Sequence, residues 1–472
     1  MPQKWRTMLG VSIGALTAPL GLSTISIGLP SIAGSLHQDI TVVEWVIVAY
    51  LLVTTSLLQS FGRLGDLISI KYLYALGFGI YTVGALISGL SHTLPTLLAG
   101  RVVQGVGAAM MFAISAAIVV RAFPPSQRGL GLGVNAVFTY AGLSIGPLVG
   151  ALLLQSFSWE ALFLFNVPLG LIGVVFALLL IQDMPAPGRR ARFDLAGAAT
   201  GLLGLFALLL YLSRGASWGW TSATALAFLI GAAVFIGLFI WLEGRVAAPL
   251  LDLNLFQDRL FSAGLTSSVL AYLAVFVLNL LLPFYLVQGL HYSYVSAALL
   301  LTPVSVAMLI MAPISGRLSD TIGSRALTVG GMAVVAISFV WLSRLGAAPG
   351  YLAFVVPLIL NGAGMGLFTS PNNSAIMSGA PPERSGTAAG ALATSRNLGM
   401  ALGIALAGAI TAARVPVHLA EHLDPTHATI AAYQDAFVVA ALVALLAAGA
   451  SFVRPGRRFA LQPEARPEIA VS

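Results

Sequence analysis

Apolar residues in this chain come in long runs separated by short clusters of charge and proline. The runs match the roughly 20 residues that a helix needs to cross a bilayer. Breaking the sequence at those clusters predicts fourteen helices, near 8–34, 42–62, 72–91, 94–121, 129–155, 159–182, 193–213, 221–242, 259–288, 293–315, 325–345, 350–378, 385–412 and 433–453. The first run, from about Met8 to Ala33, follows Lys4 and Arg6 as a secretion signal would. It is too long for a signal and has no evident cleavage site, so it reads as a permanent span.

Composition narrows the class. Of the 472 residues, 58% are hydrophobic and 8% charged, against roughly 25% charged in soluble domains. So little charge cannot coat a soluble protein of this size. The fold class is therefore all-α integral membrane, which excludes a soluble enzyme, a nucleic-acid-binding domain and a secreted disulfide scaffold. With no cysteine, thiolate metal sites and disulfides are excluded as well. No GxxxxGK[ST] phosphate loop is present, so ATP is not the energy source within this chain, and no cofactor is called for.

The net charge of +7 comes from basic residues sorted to one side. With the N-terminus inside, 18 of the 23 Lys and Arg fall in inner loops or at the ends, three (Arg214, Arg344 and Arg414) fall outside, and Arg101 and Arg396 fall within spans. That asymmetry orients helical membrane proteins and predicts both termini in the cytoplasm. All six histidines fall on the other side: His37, His92, His291, His418, His422 and His427. They read as neutral polar residues of short outer loops, with a pH-sensing outer face as the other reading. His418-Leu-Ala-Glu421-His422 formally matches the HxxEH zinc motif. In an outer loop of about 20 residues with no companion domain, it carries no metal site.

The chain repeats itself. Gly62-Arg63-Leu64-Gly65-Asp66 returns 254 residues later as Gly316-Arg317-Leu318-Ser319-Asp320, and Leu36-His37 as Leu290-His291. At a shift of 257, Gln104-Gly105-Val106-Gly107 becomes Asn361-Gly362-Ala363-Gly364, and Gly142 and Gly146 become Gly399 and Gly403. These matches predict two six-helix halves, 1–182 and 259–454, a linker 183–258 with two extra spans, and a tail 455–472. Two parallel halves with a site between them suit alternating access: a transporter.

Three motifs carry a resemblance. The inner turn at Gly62–Asp66, with Lys71 beyond it, resembles the loop signature of the major facilitator superfamily, although Ser69 and Ile70 depart from it. Arg101-Val-Val-Gln104-Gly105-Val-Gly107 is similar to its RxxQGxG. Gly142-Leu-Ser-Ile-Gly146-Pro147-Leu-Val-Gly150-Ala151 resembles its antiporter motif GxxxGPxxGG; the second half has Ile404 where Pro147 stands. Stretches around Trp45–Leu52, Phe163–Gly170 and Ser385–Gly399, together with the two extra spans, resemble the 14-helix drug:proton antiporter branch. The resemblance implies proton-coupled export of amphipathic or lipophilic small molecules across a bacterial cytoplasmic membrane by a monomer, with protons, the lipid bilayer and a small-molecule substrate as partners and no nucleic acid.

One departure matters. The branch carries an Asp early in helix 1, in a pattern like LDxTIVNVALP, and Gly21 stands in its place. No Asp or Glu lies deep in any other span. An ionisable residue within a span is a functional candidate by default, so coupling or gating candidates are Arg101, Glu44, Asp66, Asp320, Gly146, Pro147 and Arg396. Glu44 begins helix 2 at a depth near that of Arg101, and the two are expected to pair. Embedded positive charge without carboxylates suits neutral or anionic substrates better than dications. The cavity is expected between helices 1, 4, 9 and 12, with help from 2, 5, 10 and 13. Its binding candidates are Tyr50, Gln104, Asn135, Phe138, Tyr272, Asn279, Phe368, Asn372 and Asn373, each of which could equally be a packing residue. Two alternatives stay open: a dedicated carrier for a metabolite or lipid-like organic anion, not necessarily proton-coupled, and a non-transporting receptor or scaffold on the same fold.

Overall fold

A computed structural model describes residues 2–65, 68–124, 128–183, 194–246, 253–346, 350–378 and 385–452. Among them are fourteen helices long and apolar enough to cross a membrane. Their main helices are α1 (Gln3–Leu36), α2 (Trp45–Leu64), α3 (Ile70–Gly89), α4 (Leu94–Ala122), α5 (Arg128–Ser156), α6 (Asn166–Leu180), α7 (Leu195–Trp218), α8 (Ala223–Glu243), α9 (Arg259–Phe284), α10 (Tyr294–Ile322), α11 (Ser324–Leu342), α12 (Tyr351–Ser378), α13 (Ser385–Ala420) and α14 (Pro425–Phe452), with the second and sixth spans starting earlier, at Ile40 and Ala161. Asp66 lies outside the described residues, and so does the side chain of Asp320, whose backbone continues α10.

Helix starts follow ordinary capping chemistry. Asp258 accepts from the backbone N–H groups of Leu260 and Phe261 at 2.7 and 3.0 Å, Asp194 from Gly197 at 2.8 Å, and Ser222 from Ala225 at 3.2 Å. Each satisfies a donor that the first helical turn leaves unpaired. At α14 the N–H groups of Thr426 and His427 donate to Asp424 at 3.0 and 3.1 Å. The bond from the His427 N–H, reinforced by the His427 ring, holds the Asp424 carboxyl below its usual range.

One expected loop is helix. The polar stretch 413–432 was expected to lie outside the spans, but α13 runs on to Ala420 and α14 resumes at Pro425. Its charges satisfy one another across the helix pair. Arg414 Nε donates to Asp435 at 2.5 Å, while the His418 ring bridges Glu421 (2.9 Å at Nδ1) and Asp435 (2.8 Å at Nε2). Paired charges can ride on a helix that unpaired ones would end. The HxxEH residues are thus split between this bridge and the cap at His422.

The repeat reappears as packing. α1 lies on α5, α2 and α3 on α4, and α3 on α6; in the second half α9 lies on α13, α10 and α11 on α12, and α11 on α14. Small residues permit these approaches in lipid, where tight packing replaces the hydrophobic drive between helices. A Cβ on Gly150 would fall 2.6 Å from the Thr24 carbonyl oxygen, and one on Gly399 would fall 3.0 Å from Tyr272 Cβ and onto the carbonyl of Val269. The halves meet along α2–α13, α5–α10 and α1–α9, and α7 leans on both α2 and α13. At the end opposite the termini, Gln288 Nε2 donates to the Pro30 carbonyl at 3.5 Å.

The Leu-His repeat is a repeated backbone conformation. His37 and His291 both take left-handed φ values, 49° and 57°, at the ends of the first helices of the two halves. The His37 N–H reaches back to the carbonyls of Ala33 and Gly34. This is a helix end that glycine adopts without the Cβ penalty. Replacing either His by Gly is expected to raise the melting temperature in detergent, worth about 0.5–1 kcal/mol per site after the added chain entropy, whereas Val at either site lowers it.

Candidate functional site

A cavity of about 250 Å³ lies between the two halves. α1 contributes Leu22, Ser23 and Ser26, α2 contributes Tyr50, Leu51 and Thr54, and α5 contributes Thr139, Leu143 and Pro147. From the other half come Tyr272, Phe276 and Asn279 of α9, Leu301, Ser305 and Met308 of α10, and Arg396, Asn397 and Met400 of α13. Among the described residues, α4 and α12 supply only Phe112 and Met365. That corrects the expected weighting towards helices 4 and 12. The glycines of α4 and α12 hold these helices against neighbours: a Cβ on Gly105 would sit 3.0 Å from the Tyr50 carbonyl oxygen, and one on Gly362 would run into the Val304 backbone.

Of the residues singled out above, Tyr50, Pro147, Tyr272, Asn279 and Arg396 line the cavity. The other described ones lie elsewhere. Gln104 is buried and accepts from Arg101 at 2.5 Å. Asn135 accepts from Ser115 at 3.2 Å between α5 and α4. Asn372 accepts from Ser267 at 3.1 Å and ties α12 to α9. Phe368 is core, and neither Phe138 nor Asn373 reaches the cavity wall. Gly146 faces α1, where a Cβ would collide with Ser23. Intramembrane amides more often tie helices together than meet a ligand.

The Arg101 guanidinium is locked inside the first half. Its Nε donates to the Val46 carbonyl at 2.7 Å, and its Cζ lies 4.2 Å from the centre of the Tyr50 ring and 5.9 Å from that of Phe163. Cation–π contact and charge-assisted bonds are what make a buried guanidinium tolerable. The expected Glu44–Arg101 pair is not formed. Glu44 is buried at the start of α2, and its carboxylate lies against Gly408 of α13, across the seam between the halves.

Six polar lining residues escaped sequence reading: Ser23, Ser26, Thr54, Thr139, Ser305 and Asn397. Ser23 donates to Pro19 and Gly142 carbonyls, and Thr54 to those of Tyr50 and Gly105. Small hydroxyls bonded back into helices give no outward signal. Asn397 did have one, its place beside Arg396.

Gly21 has a packing reason. A Cβ there would land on the Tyr81 hydroxyl and 2.7 Å from Asn166 Oδ1, and these two atoms are hydrogen-bonded at 3.1 Å. The position faces this polar contact among α1, α3 and α6 rather than the cavity. Gly21→Asp is therefore expected to lower the melting temperature, by the equivalent of about 1–3 kcal/mol of overpacking. Unchanged stability in that variant contradicts the packing account.

The sequence matches the profile of the Major Facilitator Superfamily over residues 11–404. It is 32% identical over 405 residues to the riboflavin transporter RibZ of Clostridioides difficile, covering 86% of this chain and 88% of that protein. It is 30% identical over 412 residues to the tetracenomycin C resistance and export protein of Streptomyces glaucescens, covering 87% and 76%. Its fold resembles the crystal structure of a bacterial homologue of the human lysosomal transporter Spinster, with a TM-score of 0.69 at 14% identity over 96% of this chain and 97% of that one. The fourteen helices, the repeated packing and these matches agree: the chain belongs to the major facilitator superfamily, a family of transporters rather than enzymes.

Proposed function

We propose that this protein exports amphipathic or lipophilic small molecules by alternating access, with inward proton movement as the driving reaction. The observation that carries the reading is the cavity between the halves, mostly apolar, with a few polar groups from each side, the composition expected of a small-molecule site. In this reading residues 1–182 and 259–454 move as units, 183–258 tether them, and a monomer suffices. The termini and the tail 455–472 face the cytoplasm of a bacterial cell. Resistance and export functions named for similar proteins support the outward direction.

Proton exchange is assigned to Glu44, Asp66 and Asp320 as carriers, with Arg101 holding the first half together behind Tyr50. Gly146 and Pro147 set how α5 slides on α1 as the cavity changes access. Pro147 lines the cavity, while its repeat counterpart Ile404 is buried in the core, an asymmetry that fits a single direction of bending. A dedicated carrier for one metabolite or organic anion is the second reading, favoured by the closed packing around Gly21.

The test uses proteoliposomes loaded with a lipophilic dye, with and without an imposed proton gradient. Gradient-dependent movement of the dye, reduced several-fold or more in Glu44→Gln, is the expected result. Movement indifferent to the gradient favours the dedicated carrier, and no movement of any tested compound contradicts export.

A further inference from the structure

Among the described residues, Arg396 is the only charged one that lines the cavity; no Asp, Glu, His or Lys among them does. Among the described residues, none hydrogen bonds or ion-pairs with its guanidinium. Arg101, the other cation expected within a span, is held in its own half through Nε and one terminal nitrogen. A guanidinium carries five donors and stays charged. Left unanswered inside a membrane protein it is costly, and fold alone does not demand it. Its repeat counterpart, 257 positions earlier, is Thr139, which lines the same cavity without a charge. From the opposite half, Tyr50 also lines the cavity, and its buried hydroxyl has no hydrogen-bond partner.

We propose that Arg396 and Tyr50 form an anion-recognition site and that the transported molecules are amphipathic monoanions. Their acidic group, a carboxylate, sulfonate or phenolate-type oxygen, meets the Arg396 guanidinium and the Tyr50 hydroxyl. Their flat apolar body occupies the surface offered by Leu51, Phe276 and Met400. This rests on the export reading and names the substrate class for that cavity. One donor comes from each half, so an anion holds both halves together while it is bound. It also supplies the negative charge that the site lacks.

The consequence for energetics is direct. A monoanion leaving a cell whose interior is negative moves down the membrane potential, about tenfold in equilibrium distribution per 60 mV. A proton moving inward runs down the same potential, so the charge on the substrate helps export whether or not protons are exchanged. A dication meets the opposite sign on both counts, at the site and across the membrane.

The experiment compares two dyes of fixed charge in proteoliposomes, 8-anilinonaphthalene-1-sulfonate as the anion and ethidium as the cation, under potassium diffusion potentials of either sign. The expected result is protein-dependent movement of the anilinonaphthalene sulfonate, faster when the receiving side is positive. Arg396→Gln should slow it about tenfold or more, and Arg396→Lys, which keeps the charge, should retain much of it. Movement of the sulfonate at the wild-type rate in Arg396→Gln overturns the assignment. Equal loss in the Gln and Lys variants does so too, since charge is then not what matters. Transport of ethidium without the sulfonate overturns the anion class and leaves export standing. Transport of neither dye removes the export reading and this proposal with it.

Discussion

A charge inside a bilayer must be answered by something, and in this protein the two guanidiniums that the sequence places within spans are answered differently. Arg101 is held within its own half, by the Val46 carbonyl, the Gln104 amide oxygen and the face of Tyr50. Arg396 is presented to the cavity. Low dielectric makes the first arrangement a rigid brace and the second a binding potential, because the same electrostatics that penalise an unpaired ion strengthen its attraction for an incoming partner. The brace also fixes the ring of Tyr50, so the motif in α4 shapes the cavity wall without reaching it.

Backbone proximity supplies the rest of the architecture. Where α5 meets α1 and α13 meets α9, glycines let carbonyl oxygens and Cα atoms approach within distances that any side chain would forbid. Each half is therefore tightly keyed internally. The seam between halves carries a cavity, the Glu44 carboxylate against Gly408, and a long bond from Gln288 to Pro30. Tight packing within halves and sparse polar contact between them are what rigid-body rocking needs. The additional pair α7 and α8 sits beside this arrangement, with Phe206 of α7 6.3 Å from the ring of Trp45 at the start of α2.

Much of this was legible in the sequence, for a physical reason. Span number and order follow from hydropathy because the bilayer forbids unsatisfied backbone. The Leu-His repeat marked equivalent positions in the two halves, but not the left-handed backbone that both adopt. The cavity was legible only in part. Tyr50, Tyr272, Asn279 and Arg396 stood out as polar or aromatic residues on inner helices, but so did Asn135, Asn372 and Gln104, which turn out to tie helices or brace a charge. Sequence spacing does not say on which side of a helix a neighbour will stand. The Glu44–Arg101 pair failed for the same reason, since equal depth is not contact. The stretch around Arg414 and His418 was missed because its partner, Asp435, comes from the next helix.

The central claim is that the two halves rock about the cavity and that its occupant biases them. With no native cysteine in the chain, spin labels can be placed at two exposed sites at the end opposite the termini, Gln38 of the first half and Ser296 of the second. Pulsed electron–electron resonance then reads the distance between the halves with and without anilinonaphthalene sulfonate. The account predicts two distance populations whose ratio shifts when the anion is added. A single distribution, unmoved by any compound that the protein transports, would contradict it.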